Sequence, residues 1–407
     1  VQPFCCTRAA EDAVVSLTVS QRLQRVKPSP TLAVTSLAAE LRAQGRPIID
    51  LGAGEPDFDT PAHIKEAAIE AIRKGQTKYT PVEGTAGLKK AIIEKFHREN
   101  GLEYTAEQII ASNGAKQTCY NVAAAVLNPG DEAIIPAPYW VSYPDMIKLA
   151  DAEPVIVTAG LEEGFKITPR ALENAITDRT RLLFLNSPSN PTGAAYTRTE
   201  LQALGAVLER HPNIVVAADD MYEHIYWAPE PFVSFAAACP SLYDRTVTIN
   251  GVSKCYAMTG WRIGYAGGPK AIIGAMKKLQ GQSTSNPCSI SQAASIAALS
   301  GDQACVREMN KAFRQRHDYL VKALSEIPGF RCIEGAGTFY AFPNVSEAIR
   351  QHRLHDDTAL AELLLTKGDV AVVPGSAFGA PGYLRLSFAC GIETLMDAIS
   401  RIRRVLA

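Results

Sequence analysis

The chain has 407 residues, 47% hydrophobic and 20% charged, with a net charge of -1. It is long enough to bury an interior divided between two domains, and its near-neutral balance argues against a nucleic-acid-binding surface. No apolar run approaches the roughly 20 residues of a membrane span, and nine cysteines without a Cys-x-x-Cys pair exclude zinc-ribbon and thioredoxin-like chemistry and fit a reducing cytoplasm.

Residues 1–16 lack the apolar core of a signal peptide, and Glu11 and Asp12 do not suit an organellar transit peptide; a disordered extension is expected there. From about Ser20 short apolar runs alternate with longer amphipathic segments, the pattern of an α/β protein with a mainly parallel sheet. Asp59-Thr60-Pro61 opens a helix with Thr60 as its cap and Pro61 at the first helical position, and Gly75 closes it behind Arg73 and Lys74. Leu88, Ile92 and Phe96 share one face of a second helix that stops at Gly101. Asn113-Gly114-Ala115-Lys116 precedes an apolar helix, and small residues at a helix start let backbone N–H groups approach an anion. Buried-strand candidates follow at Ala133–Pro136, Leu182–Leu185, Ile214–Ala218, Val247–Ile249 and Ile263–Ala266. Each runs into polar or turn residues, where open α/β sheets place their ligands.

The C-terminal third reads as a smaller α+β unit. A helix from about Gln303 to Leu324 precedes short strands near Gly337–Phe342, Val370–Val373 and Tyr383–Phe388, and the last helix carries Leu395, Ile399, Ile402 and Leu406 on one face. In Tyr383–Phe388 the residues Leu384, Leu386 and Phe388 occupy one face, so Arg385 points to the other, and its guanidinium fork suits a carboxylate. His352, His355, Asp356 and Asp357 read as a solvated connector rather than a metal site, and Cys255 has no feature supporting a redox role.

The most informative stretch is Ser253-Lys254-Cys255-Tyr256-Ala257-Met258-Thr259-Gly260-Trp261-Arg262-Ile263-Gly264-Tyr265. Arg262 stands just before an apolar strand, where its charge needs an anionic partner, and a phosphate would supply one. From about Ser20 to its end the chain resembles the class I aminotransferases, of the fold-type I pyridoxal-phosphate enzymes. The resemblance implies a large domain with a mainly parallel seven-stranded sheet flanked by helices, plus a smaller α+β domain. Its expected boundaries are 17–61 for an N-terminal arm and the first part of the small domain, 62–300 for the large cofactor-binding domain and 301–407 for the rest of the small domain.

The resemblance further implies that Lys254 forms a Schiff base with pyridoxal 5'-phosphate and that Arg262 binds its phosphate, with Gly114, Ala115, Lys116 and Ser253 nearby. A lysine amine can condense with an aldehyde and shuttle a proton; an always-protonated arginine cannot. A pyridine nitrogen kept protonated needs a carboxylate. The family's aspartate stands three residues before its tyrosine, which selects Asp219 over Asp220 and assigns Tyr222 to the phenolic oxygen. Asn190, in Asn190-Pro191-Thr192-Gly193, matches the asparagine that contacts the same oxygen and the substrate. Trp140 matches the aromatic residue stacked on the ring, and Arg385 the residue for the substrate α-carboxylate, with the Gly54 backbone beside it. Tyr79 matches a residue that reaches the phosphate of a neighbouring subunit, which makes the expected active unit a homodimer.

Lys27-Pro28-Ser29-Pro30-Thr31 and Gly114-Ala115-Lys116 resemble the aspartate aminotransferase branch that includes bifunctional aspartate/prephenate enzymes, in which Thr31 and Lys116 help receive a side-chain carboxylate. Gln282-Ser283-Thr284-Ser285-Asn286 lacks the arginine that the animal and enteric enzymes use as a distal clamp, and Gly251 stands where many relatives place a phosphate-binding hydroxyl. The expected activity is amine transfer between aspartate or glutamate and a 2-oxo acid. The alternatives are an aminotransferase for aromatic or neutral amino acids, or a β-eliminating lyase of the same fold.

Overall fold

A computed structural model describes residues 18–26 and 30–407. The extension expected at 1–16 and the segment Lys27-Pro28-Ser29 lie outside the described residues, as does the side chain of Thr31, whose backbone belongs to the helix Pro30–Ala43. In chain order the strands are β1 (Ile49–Asp50), β2 (Ile109–Ser112), β3 (Glu132–Ala137), β4 (Glu153–Thr158), β5 (Thr180–Asn186), β6 (Val215–Asp219), β7 (Thr246–Gly251), β8 (Gly264–Gly267), β9 (Tyr340–Ala341), β10 (Val370–Ala371), β11 (Val373–Pro374) and β12 (Leu384–Ser387).

A seven-stranded sheet in the order β2-β8-β7-β6-β5-β3-β4 forms the main body. The pairs from β4 across to β7 are parallel, and only β8 runs against its two neighbours. Side chains alternate across each strand. Leu182 and Phe184 pack with Val122, Met146 and Ile273 on one face, whereas Leu183 and Leu185 pack with Leu201, Leu204 and Leu208 on the other. Truncating any of these to alanine would cost about 2–5 kcal/mol. Beyond β2, Leu88, Ile92 and Phe96 pack against Ile109 and Tyr265.

The remaining strands make two small sheets, β1 paired with β10 and the order β11-β12-β9. Their core joins Leu384, Leu386 and Phe388 to Phe313 and Leu320 of the helix Ala304–Ser325 and to Leu395, Ile399 and Ile402 of the helix Ile392–Val405. Met221, Tyr222 and Ile225, from the loop after β6, belong to the same apolar cluster. The two bodies therefore share a core directly behind the end of β6.

Some local expectations are corrected. The helix after Asp59 begins at Ala62 with Pro61 at its N-cap position. Thr60 does not cap it, because its hydroxyl donates to the Ala257 carbonyl at 2.6 Å and accepts from Trp261 Nε1 at 3.0 Å. Gly75 does end that segment with a left-handed φ of 68°. Val370–Val373 is not one strand but parts of two, β10 and β11, in separate sheets. Leu406 lies just past the final helix.

Candidate active site

Because β5, β6 and β7 run parallel, their carboxyl ends and the loops that follow lie along one edge of the sheet. β6 ends at Asp219, β5 leads into Asn190, and β7 leads into the turn that carries Lys254. The Lys254 amine donates to the Gly54 carbonyl at 2.5 Å. Burial lowers its proton affinity from the ordinary 10.5 to about 8, helped by Arg262 and Arg385 and opposed by Glu55 and Asp219. A neutral amine is thus accessible close to neutral pH.

Asp219 is buried, and burial raises its carboxyl above the usual range, opposed chiefly by a hydrogen bond from Tyr143. The Tyr143 hydroxyl donates to Asp219 Oδ2 at 2.5 Å, the Met221 N–H donates to Oδ1 at 3.3 Å, and the Cys119 thiol lies 3.8 Å from Oδ2. The Tyr222 and Tyr340 hydroxyls meet at 3.2 Å.

Gly114, at φ 86°, caps the helix Ala115–Val126. A Cβ there would stand 2.2 Å from Arg262 Nη2, and one on Gly264 would stand 2.1 Å from the Ala115 nitrogen. Arg262 itself has a left-handed φ of 54°, and its guanidinium donates to the carbonyls of Thr259 at 2.9 Å and Asn113 at 3.4 Å. The two glycines thus let the Arg262 guanidinium pack directly against the helix N-terminus, and let that N-terminus pack against β8.

Arg385 is only 2% exposed. It donates to Asn190 Oδ1 at 3.0 Å and to the Gly52 carbonyl at 2.7 Å, with its guanidinium 4.4 Å from the Tyr340 ring and 4.9 Å from the Phe378 ring. Its buried Nε has no partner among the described residues. A buried guanidinium with an idle N–H has strong capacity for a carboxylate.

One cavity of about 400 Å³ joins these features. Of the residues anticipated from sequence, Gly54, Ala115, Lys116, Trp140, Asn190, Asp219, Tyr222, Ser253, Lys254, Arg262 and Arg385 line it, and Gly114 adjoins it through Ala115 and Arg262. Lys116 Nζ sits 5.1 Å from the Trp140 ring. Tyr79 does not reach the cavity of its own chain and is 94% exposed.

Residues 46–402 match the family model for aminotransferase class I and II. The chain belongs to that family. An aspartate/prephenate aminotransferase of Nitrosomonas europaea is 56% identical over 395 residues, 96% of this chain and 100% of that one. The crystal structure of the aspartate aminotransferase from Rhizobium meliloti superposes with a TM-score of 0.92 at 46% identity, covering 96% of this chain and 99% of that one. The aspartate aminotransferase from Thermus thermophilus with maleate superposes at 0.90 with 43% identity, covering 96% and 100%.

This aminotransferase family implies pyridoxal phosphate, and the cavity fits such a group. Ala115 at a helix N-terminus, Ser253 and the Arg262 guanidinium line the cavity together and suit a phosphate, Asp219 offers a carboxylate, and Lys254 offers an amine. The sequence reading missed Tyr143, Tyr340, Glu55 and Thr259, all of which line the cavity. Tyr143 opens a helix three residues after Trp140, which lies before that helix, and their rings meet edge to face at 5.3 Å. Nothing in sequence separates Tyr340 from an ordinary core aromatic.

Among the described residues, His352 and His355 do not belong to any cluster of potential metal ligands. Asp356 caps the helix Asp357–Gly368 and Asp357 accepts from the Ser376 N–H at 2.7 Å. Among the described residues no helix is long and apolar enough to cross a membrane.

Proposed function

We propose that the chain uses pyridoxal 5'-phosphate to move an amino group between aspartate or glutamate and a 2-oxo acid such as 2-oxoglutarate or oxaloacetate, with prephenate as a further acceptor. The observation that carries this reading is one cavity holding a lysine amine of depressed proton affinity, a buried carboxylate and a buried, under-used arginine. The similarity to aspartate/prephenate and aspartate aminotransferases supports the substrate classes.

When bound, pyridoxal phosphate supplies an aldehyde to take up the amino group and a ring that draws electrons from the neighbouring carbon. The chain does the rest. Arg262 and the N–H groups at Gly114 and Ala115, with Ser253, hold the phosphate. Asp219 keeps the ring nitrogen protonated, while Tyr222 and Asn190 hydrogen-bond the phenolic oxygen and Trp140 covers the ring. Arg385 grips the α-carboxylate beside Gly54, and Thr31 and Lys116 take the side-chain carboxylate. Lys254 would hold the group through its amine and, once that amine is free, would remove and return the proton at the substrate Cα.

In this reading 62–300 holds the cofactor, while 17–61 and 301–407 supply the wall that carries Arg385. Two copies share their sites through Tyr79, and the enzyme works in the cytoplasm.

The test is reconstitution with pyridoxal phosphate, borohydride fixation, and assays against oxaloacetate, 2-oxoglutarate and prephenate. A yellow protein labelled at Lys254 that transfers amine from aspartate is expected. Release of pyruvate and ammonia instead would indicate a lyase, and equal use of aromatic donors would defeat the dicarboxylate preference.

A further inference from the structure

Behind the cavity lies a second set of charged groups to which the proposed chemistry gives no role. Lys95, at the end of the helix Ala86–Lys95, is 0% exposed. Its ammonium pairs with Glu223, donates to Asn100 Oδ1 at 2.8 Å, and lies 3.6 Å from Glu99. The wide helical turn Phe96–Asn100 brings Asn100 back alongside Lys95. Glu223 also accepts from Asn100 Nδ2 at 2.7 Å and from Asn250 Nδ2 at 2.8 Å. His224 completes the set, with Nε2 2.9 Å from Glu99 and Nδ1 3.5 Å from Glu223.

Glu99, Glu223 and His224 are close enough to hold a metal ion, but the Lys95 ammonium already contacts both carboxylates. The cation position belongs to the protein. A buried ion cluster is poor value as a source of stability, since desolvation offsets the attraction. Its placement offers a better explanation. Glu223 directly follows Tyr222 and stands four residues after Asp219. Asn250 stands four residues before Lys254 and uses both ends of its amide: Nδ2 donates to Glu223, and Oδ1 accepts from the Gly251 N–H at 2.7 Å. A continuous chain of contacts therefore runs from Lys95 through Glu223 to the turn carrying Asp219 and Tyr222, and through Asn250 to the turn carrying Lys254.

We propose that Lys95 is a positioning residue: through Glu223 and Asn250 it sets the Asp219–Tyr222 turn and the Lys254 turn at a fixed spacing from one another. This rests on the proposed cofactor chemistry and adds a residue about which that chemistry says nothing. A catalytic amine and carboxylate supplied by different strands need such a brace, since a displacement of about 1 Å costs on the order of a hundredfold in rate.

The test compares the full-length protein, reconstituted with pyridoxal phosphate, with the charge-neutral pair Lys95→Met/Glu223→Gln and with Asn250→Ala. The pair leaves no lone buried charge between the two partners. Asn250→Ala cuts only the tie toward Lys254, so the question stays answerable if the pair does not fold. Expected in each folded variant are a fall in kcat of about tenfold or more, KM within about threefold of wild type, and a shifted pH midpoint for the visible absorbance that the cofactor gains on bonding to Lys254. Native kcat and an unmoved midpoint in a folded Asn250→Ala protein, whether or not its melting temperature falls, would overturn the proposal. A wild-type protein that never gains that absorbance would instead sink the cofactor reading itself.

Discussion

Lys254 owes its reactivity to surroundings that disfavour its charged form, and the sign of the pH effect follows. Below about pH 8 the amine is protonated and cannot attack an aldehyde. Capture of pyridoxal phosphate by the cofactor-free protein should therefore accelerate with rising pH up to a midpoint near 8 and then level off, whereas an ordinary lysine would keep accelerating toward about pH 10. Stopped-flow absorbance across that range checks it. Lys254→Ala should lose at least about a thousandfold in turnover while retaining cofactor, measured by equilibrium dialysis, through Arg262 and the helix N-terminus. Tyr143→Phe removes the 2.5 Å bond to Asp219, and a loss of about 1–1.5 kcal/mol should appear as roughly a tenfold lower kcat. At this scale the sequence revealed residues whose type is dictated by chemistry, such as Lys254 and Arg262. The family resemblance, through the spacing to Tyr222, selected Asp219 over Asp220, and of the two only Asp219 lines the cavity. Tyr143 and Tyr340 stayed hidden because a buried tyrosine discloses its partner only when the chain is folded.

Among the elements, the loop-to-helix step at Gly114 and the strand β8 are locked together. Gly264→Ala would drive its methyl into the Ala115 backbone, and relief by backbone movement should cost about 2 kcal/mol or more. A lower urea midpoint with an unchanged slope would show it, together with weaker cofactor retention. The interior strands β3, β5, β6 and β7 were legible as continuous apolar runs because both their faces are covered. β4 was not: it lies at the sheet edge, half exposed, and contains Pro154, which edge strands tolerate. β1, at two residues, is too short to impose a pattern, whereas β9 and β10 fall inside the strands expected near Gly337–Phe342 and Val370–Val373.

For the whole molecule, the exposure of Tyr79 bears on the proposed homodimer. Tyr79→Ala and Lys254→Ala subunits should each make a weak or dead enzyme alone. If sites are shared across a twofold interface, mixing and exchanging them restores one intact site per mixed dimer, and an equimolar mixture should recover about a quarter of native activity. Recovery that fails despite subunit exchange, followed by sedimentation, would make Tyr79 a residue of no other subunit's site. The α/β class was readable at this scale from the alternation of apolar and amphipathic segments, but the way β1 joins β10 across more than three hundred residues was not. That joined strand leads straight into Gly52 and Gly54, whose carbonyl oxygens already occupy Arg385 and Lys254. Both cations thus wait with an oxygen in hand, and ligand entry becomes an exchange of partners rather than capture by bare charge. Stray monovalent anions such as chloride, which gain little from that trade, should be feeble competitors.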